Sequence, residues 1–466
     1  MSNDNNSNHF KKTQQHKNKL GYIDPTVAGI DIGDKLIHVS IPDGKNGSSV
    51  QEFGTTTPEL HQIVKALKQA KVETGVMEAT GVYWIPLYEI MEKSGLTPVL
   101  VDAKNVKNPP GRKSDVTDAQ WIQTLYSSGL LRPAYRPPRD RLKLRAYVRQ
   151  RMGVIKTKQY ALLHMEKALQ LMNIKLSTAT SDIAGVTGLN IIRAIANGEK
   201  DPHKLSALRS KLCRKEEHVF VAALTGNYQE EHVFALKQAL ALYDFSHKQL
   251  EECDECIKKE LENIPDVVHT PPPKNHKDKI KDPRFSKLKK PKKNEFSFDV
   301  RATLWKKTGI DLTALAGVAE TTALVIYAEL GGIDVSAWNS EKAFSSWLKL
   351  SPGNNISGGK QRKSKRQKPS ANYISQALRM SAVAAKKSDT SLGAHIRRAC
   401  GRADNPRGIK AGAHKLAILV YQMCKNGWLY HEKGAEYNEK IHAEKALKGL
   451  HKKAKLLGYA LVLEAV

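Results

Sequence analysis

The sequence lacks the features of several common protein classes. No uninterrupted apolar run approaches the roughly 18 residues that a membrane-spanning helix needs, and no G-x-x-x-x-G-K-[ST] loop for nucleotide phosphates occurs. The five cysteines are few and odd in number, which excludes a disulfide framework and favours a protein of the reducing cytoplasm. These absences argue against a membrane protein, a secreted disulfide scaffold and a P-loop ATPase.

Acidic residues are scarce relative to basic ones. Lys and Arg number 75 against 47 Asp and Glu, which gives a formal net charge of +28 and a pI near 9.7. A surplus of this size favours a polyanionic partner. Hydrophobic residues make up 40% of the chain, enough to build cores, so a disordered polycation is excluded. Composition therefore predicts a folded protein that binds nucleic acid and no membrane.

The first part of the chain divides into a polar tail and a domain of mixed character. Residues 1–24 are polar throughout and predict a disordered tail. Over residues 25–135, strand-like runs (VAGIDIG, KLIHVSIPD, VETGVMEA, TPVLVDA) are interspersed with the helical spacing of PELHQIVKALKQA and WIPLYEIMEKSG. The Gly33-Asp34 turn between the first two runs predicts a hairpin. This mixture predicts one α/β layer domain.

The rest of the chain is predicted to be mainly helical. Residues 136–264 carry two long patterns of apolar residues at three- and four-residue steps, which fit either an oligomerising coiled coil or a plain helical bundle. Residues 265–299 are rich in Pro and Lys and predict a linker or an insertion. Residues 300–432 predict a second folded unit, and residues 433–466 a helical tail. In that second unit, DLTALAGVAETTALVIYAELGG predicts helix, turn and helix, either a phosphate-gripping helix-hairpin-helix or a plain αα-hairpin.

Four carboxylates of the α/β domain form a candidate metal site. Asp31 and Glu78 end two strand-like runs, in G-I-D-I-G and V-M-E-A-T-G, whereas Asp115 and Asp118 lie three residues apart at a helix start and so share one face. Considered singly, Asp115 could be the N-cap of the helix, and Asp118 could interact with the positive end of the helix dipole. Together they would repel one another unless divalent cations neutralised them, so the set predicts a site for Mg²⁺ or Mn²⁺ that can act on a phosphodiester.

Two tracts of basic residues are candidates for contact with nucleic acid. Neither tract is tied to base-specific recognition, and both suit a phosphate backbone. The alternative for each is a solvated surface. The first, on a predicted helix, contains Arg139, Arg141, Arg145, Arg149 and Arg151, and the second, in a Gly- and Ser-rich loop, contains Lys360, Arg362, Lys363, Lys365 and Arg366.

The G-I-D-I-G, M-E-A-T-G-V-Y-W-I-P-L and R-K-S-D-V-T-D-A motifs resemble those of the DEDD transposases of insertion sequences. That group is the family numbered one hundred and ten, with its eleven-eleven branch, and it is related to the pilin-gene invertase. The resemblance implies an α/β RNase H-like (RuvC-like) N-terminal domain, a helical coiled-coil middle and a mainly α C-terminal transposase domain. It also implies that the four acids hold Mg²⁺.

The resemblance further implies a serine nucleophile that joins covalently to DNA. The family's serine lies in a P-x-x-x-x-S-G loop, which matches P-G-N-N-I-S-G here and assigns the role to Ser357. Ser351 and Ser364 are the nearest rivals. On the residues alone, a serine among glycines is ordinary turn chemistry.

The partners implied are donor and target DNA, a structured non-coding guide RNA and further copies of the chain, from dimer to tetramer. The sequence therefore predicts a recombinase that cuts and rejoins DNA. A metal-dependent junction-resolving nuclease that uses water as nucleophile remains an alternative, as does an RNA-binding protein that retains the fold without catalysis.

Overall fold

The structure is a computed structural model of the chain, and it forms two compact units, Met1–Arg136 and Pro137–Val466. Among the described residues, no helix is long and apolar enough to cross a membrane. The predicted N-terminal tail lies outside them. The described residues are 24–43, 47–79, 81–102, 115–211, 213–274, 294–352, 356–357, 360–361, 372–402 and 404–462.

The first unit is a mixed five-stranded sheet with helices on both faces. The strands lie in the order β3-β2-β1-β4-β5. The first three pair antiparallel, whereas β4 and β5 run parallel to β1. The strands are β1 (Val27–Ile32), β2 (Leu36–Pro42), β3 (Ser48–Gly54), β4 (Thr74–Glu78) and β5 (Thr97–Val101), and the helices are α1 (Thr57–Gln69), α2 (Trp84–Lys93) and α3 (Asp115–Ser127).

The alternation of side chains along the strands builds a separate core on each face of the sheet. Ala28 and Ile30 of β1 join one buried cluster with apolar residues of α1 and α2. Val27 points the other way, into a cluster with Ile122 of α3. Successive side chains of a strand point to opposite faces, so one six-residue strand serves both layers. The prediction of an α/β domain is confirmed.

Local signals explain where several of these elements begin and end. The predicted hairpin turn is present, with the Gly33 amide donating to the Leu36 carbonyl oxygen at 2.9 Å. Glu59 accepts from the Thr56 amide at 2.9 Å and so closes a capping box at the start of α1. The edge strand β3 was not among the predicted strands, because its sequence SSVQEFG is mostly polar and half-exposed.

The second unit is helical apart from one short hairpin, over the part that the structure describes. Its strands are β6 (Ile356–Ser357) and β7 (Lys360–Gln361). Its helices are α4 (Leu142–Leu171), α5 (Leu176–Ala179), α6 (Val186–Ala196), α7 (Pro202–Ala207), α8 (Glu217–Leu224), α9 (Glu230–Glu262), α10 (Val300–Thr308), α11 (Glu320–Leu330), α12 (Glu341–Trp347), α13 (Tyr373–Lys386), α14 (Ser391–Arg402), α15 (Asn405–Asn426) and α16 (Gly434–Leu456).

The long helices α4 and α9 pack against each other in antiparallel fashion within one chain. Near the start of α4, Arg151 is 1% exposed and its guanidinium donates to Asp254 near the end of α9. Farther along α4, the Lys158 ammonium lies 3.1 Å from Nδ1 of His247. Val148 and Val154 of α4 and Leu250 and Ile257 of α9 are also buried, so part of the apolar seam predicted from the sequence is buried inside the chain.

The predicted helix-hairpin-helix takes a different form. Its first helix is a single 3-10 turn over Leu312–Ala314, which begins where the Asp311 carboxylate accepts from the Thr313 amide. At Gly317, where φ is +78°, an added Cβ would lie 2.1 Å from the Ser381 carbonyl oxygen. The turn is buried against α13, so this segment contributes to the core instead of presenting backbone amides to phosphate.

The beginning of the segment predicted as a linker lies against α10. The amides of Val267 and Val268 donate to the Lys306 carbonyl oxygen at 2.7 and 3.0 Å. Trp305 Nε1 donates to the Thr270 carbonyl oxygen at 2.8 Å. Residues 275–293, the most Lys-rich part of that segment, lie outside the described residues.

The buried ion pair between α4 and α9 generates a stability prediction. In Asp254→Asn, the Arg151 guanidinium keeps its charge in the interior without a carboxylate, so we expect a loss of about 3–5 kcal/mol in the free energy of unfolding. Urea unfolding followed by circular dichroism measures the change. Glu255→Gln removes the same charge from the adjacent exposed position and is the matched control. Equal midpoints for the two variants would contradict the structural role.

Candidate active site

Two of the predicted acids lie side by side at one edge of the sheet. The parallel register pairs Ile30 with Met77, and its next step brings Asp31 beside Glu78. Val27 and Val76 point into the core on the α3 side of the sheet. Asp31 follows Val27 by four residues and Glu78 follows Val76 by two, so both acids point to that same side. They therefore lie on the same face, at the carboxyl ends of adjacent parallel strands, where α/β sheets place their ligands.

Helix α3 approaches this face very closely. A Cβ added to Gly29 would lie 2.1 Å from the Ala119 carbonyl oxygen, so only glycine fits between β1 and α3. One turn later, Gln123 Nε2 donates to the Val27 carbonyl oxygen at 2.9 Å. Since α3 passes from Gly29 towards Val27 as it proceeds, its first turn lies at the end of β1 that carries Asp31.

The remaining two acids belong to that first turn of α3. Asp115 begins the helix, although its side chain is outside the described part of the structure, and Asp118 is half-buried. Fold and register thus bring Asp31, Glu78 and the start of α3 to one edge. Among the side chains that are described, no three acidic, His or Cys groups lie close enough together to hold a metal ion. The carboxylates supply the oxygen donors that divalent ions prefer, and those that the structure describes do not by themselves form a metal cage.

Gln123 is a positioning residue that the sequence analysis missed. It is 4% exposed, and besides its bond to β1 its Oε1 accepts from Ser40 Oγ of β2 at 2.5 Å. It therefore fixes α3 to two strands at once. Thr124 and Ser127 of α3 are buried polar residues as well, so no local pattern marks Gln123 as the anchor, and only its burial and its partners identify it.

The predicted serine lies in the β6–β7 hairpin. Ser357 ends β6 and is paired in register with Lys360, the first residue of β7. The structure describes the backbone of these two residues but not their side chains, and Arg362, Lys363, Lys365 and Arg366 are outside the described residues. The rival Ser351 lies before the hairpin, where its hydroxyl is 2.9 Å from that of Ser345.

The basic tract of α4 begins at the surface. Arg139 is exposed in a 3-10 turn, Arg139–Arg141, that leads into the helix. Arg141 Nε lies 3.1 Å from the Asp140 carboxylate and keeps 23% of its side chain exposed. These two arginines retain the access that a contact with a phosphate backbone requires.

The next two arginines of the tract share one buried carboxylate. Arg145 Nε and Arg149 Nε donate to Glu329 of α11 at 2.9 and 2.6 Å. The Arg149 guanidinium also lies 4.7 Å from the centre of the Tyr373 ring of α13. Two guanidinium groups against one carboxylate leave a formal positive charge in excess, but their first role in this fold is to hold α4, α11 and α13 together.

The structure does not support the prediction that Arg151 contacts nucleic acid. Its side chain is buried, it pairs with Asp254, and its guanidinium lies 3.6 Å from the centre of the Phe296 ring. The basic tract on this predicted helix suits contact with a phosphate backbone, but the α4–α9 contact buries this position. Arg151 is a structural residue.

Comparison with known protein families matches two segments of the chain. Residues 28–174 match the DEDD transposase model of the IS110 type, which is described as "Transposase". Residues 311–396 match the model described as "Transposase IS116/IS110/IS902 family". The two matches together span half of the chain. This chain belongs to the IS110 family of transposases.

Membership gives the chain a coarse function. Transposases of this family cut and rejoin DNA, so DNA is the substrate, and DEDD transposase domains generally use divalent metal ions. The first match contains all four predicted acids, and the second contains Ser357 and the basic residues that follow it. No curated protein matches the chain.

The close approach of α3 generates a prediction for the site. In Gly29→Ala, the new methyl group meets backbone atoms that have no room to move, so we expect a loss of about 3 kcal/mol in the free energy of unfolding. We also expect a large loss of DNA strand cleavage, because the turn that carries Asp118 is displaced. Gly75→Ala in β4 is the matched control. Its nearest neighbour is Cε at the flexible end of Met91, so the loss in stability should be smaller. Equal cleavage rates in both variants would contradict the positioning role of Gly29.

Proposed function

We propose that this transposase cuts and rejoins DNA through a covalent bond between Ser357 and a DNA strand, with Mg²⁺ or Mn²⁺ bound by Asp31, Glu78, Asp115 and Asp118. The observation that carries the proposal is the convergence of Asp31, Glu78 and the first turn of α3 at one edge of the sheet. The strand order and directions also resemble an RNase H-like fold, in which such an edge holds the metal-binding acids.

The chemistry assigned to the serine conserves the number of phosphodiester bonds. The Ser357 hydroxyl oxygen attacks the phosphorus, a serine–phosphate ester forms, and the strand oxygen leaves with the proton that the hydroxyl gives up. Attack by a strand hydroxyl then reverses these changes and restores the serine. A bound divalent ion would neutralise charge that develops on the phosphate oxygens. The carboxylates of this chain would orient that ion and keep it at the sheet edge.

The proposed partners are donor and target DNA, a structured guide RNA and further copies of the chain, in an assembly from dimer to tetramer. The net charge of +28 supports binding to nucleic acid. The RNA and the assembly rest on the resemblance to the family. Exposed Arg139 and half-exposed Arg141, together with Lys360, Arg362, Lys363, Lys365 and Arg366, are the proposed contacts to phosphate. Arg145 and Arg149 are engaged with Glu329 and would add only to the local positive charge.

A covalent trapping assay tests the serine mechanism. Wild-type protein is incubated with the element's DNA, its flanking RNA transcript and Mg²⁺, and the products are separated under denaturing conditions. We expect a protein–DNA adduct that disappears in Ser357→Ala, because this substitution removes the hydroxyl that is proposed to attack the phosphorus. Ser351→Ala, which removes a hydroxyl that contacts Ser345, should still form the adduct.

Two other outcomes would identify a different reaction. Cleavage without an adduct, equal in wild type and Ser357→Ala, would mean that water attacks the phosphorus and that the chain is a metal-dependent nuclease. An adduct lost in Ser351→Ala and retained in Ser357→Ala would assign the nucleophile to the rival serine. Omitting Mg²⁺ and adding a chelator should abolish cleavage in either case.

A further inference from the structure

Three packed helices of the second unit carry only positive charge. Helix α13 has two Lys or Arg residues, α14 has three and α15 has four, and none of the three helices contains Asp or Glu. Two acids beside these helices have partners at the helix starts. Asp404 pairs with Arg407 at the start of α15, and Glu432 accepts from the Ser391 amide at the start of α14. No acid of these helices offsets their cations.

Most of these cations have evident structural partners. Arg397 donates to the carbonyl oxygens of Lys386 and Ser388 at 3.0 and 2.7 Å. Arg398 donates to Asn438 Oδ1 at 2.8 Å. Arg379 is different. It is half-buried, its Nε atom is shielded from solvent, and this atom has no hydrogen-bond partner among the described residues.

Helix packing places Arg379 beside further cations of α15. Helices α13 and α15 run antiparallel, since Lys386 Nζ lies 2.9 Å from Asn405 Oδ1, and a Cβ added at Gly412 would lie 3.2 Å from Ala382 Cβ. Continuing in that direction brings Arg379 opposite the turn of α15 that carries Lys410 and His414. Both of these side chains are half-buried.

The electrostatics of this group fit a site built for an anion. Burial and the nearby Arg379 lower the pKa of Lys410. Burial, together with Lys415 and Lys410, lowers the pKa of His414. Like charges that are partly removed from water disfavour one another, and an unpaired buried N–H adds a further cost. A bound anion would relieve both costs.

We propose that Arg379, Lys410 and His414 form a binding site for a phosphodiester group of a nucleic-acid backbone. Arg379 would donate from its guanidinium N–H groups, with Nε reaching a phosphate oxygen once the side chain turns towards the anion. Lys410 would donate from Nζ and His414 from a ring N–H. The inference rests on the proposed function for its ligand, because nucleic acid is the polyanion that a transposase handles. The phosphate belongs either to DNA or to RNA, and the contact carries no base specificity.

The salt dependence of binding tests this site. Binding is measured by fluorescence anisotropy over a range of salt concentrations, without divalent metal, in a Ser357→Ala background. The probes are a short mixed-sequence DNA duplex and a single-stranded RNA of the same length. The slope of log K against log [salt] is negative, and loss of one phosphate contact reduces its magnitude by about 0.9 for duplex DNA and about 0.7 for a single strand. We expect this change in Arg379→Gln and in Lys410→Met.

The matched control is Lys425→Gln, which removes one charge from an exposed position at the far end of α15. We expect its slope to equal that of the parent protein. The unliganded Arg379→Gln and Lys410→Met proteins should also have a higher Tm than the parent, because each loses a like-charge contact. A fall in Tm with an unchanged slope would show a structural role and overturn the proposal, as would equal slope changes in the control.

The two probes and the trapping assay separate the possible outcomes. A slope change limited to the duplex or to the RNA identifies which backbone the site binds. If the slope changes with neither probe, the proposal of a phosphate site is overturned. Absence of the Ser357 adduct, together with the expected slope change, would refute the serine mechanism and leave the phosphate site standing. A Ser357 adduct with unchanged slopes would support the serine mechanism and refute the phosphate site.

Discussion

The candidate site in the first unit depends on how closely α3 approaches β1. Gly29 leaves no space for a side chain beneath the Ala119 carbonyl oxygen, and Gln123 then fixes the helix to two strands. Because these contacts fix the helix to β1 and β2, packing sets the direction of its first turn, and the acids themselves do not. Carboxylates that repel one another can then lie at one edge, because the free energy of packing the apolar core offsets their repulsion.

The second unit uses charge for a different purpose. Glu329 holds Arg145 and Arg149, and Asp254 holds the buried Arg151, so three arginines of one basic tract stabilise contacts between helices. Buried ion pairs of this kind add little net stability over apolar contacts, but a mismatched partner is strongly disfavoured. We therefore infer that the pairs favour the packing of α4 that brings these partners together. Only the exposed start of the tract, at Arg139 and Arg141, remains available for contact with nucleic acid.

Elements with local signals could be predicted from the sequence, and contacts between distant residues could not. The strand around Asp31, the turn at Gly33 and the periodic helices follow from neighbouring residues, and the family motifs led to the transposase assignment. The edge strand β3 was missed because half-exposed polar residues carry little strand signal. The burial of Arg151 was missed because its partner Asp254 is 103 residues away. The separation of charge on α13 to α15 was visible in the sequence, but only helix packing brings Arg379 near Lys410.

The antiparallel pairing of α4 and α9 also constrains the order in which this unit can fold. Arg151 and Asp254 lie 103 positions apart in the sequence, and closing so long a loop in one step has an entropic cost. The far end of the pair shares one apolar cluster with α5 to α8, which connect the two helices. Contacts there are closer in sequence and shorten the effective loop once they form. We therefore expect the two helices to zip together from that end, so that the arginine-bearing end, where the candidate nucleic-acid surface begins, closes last.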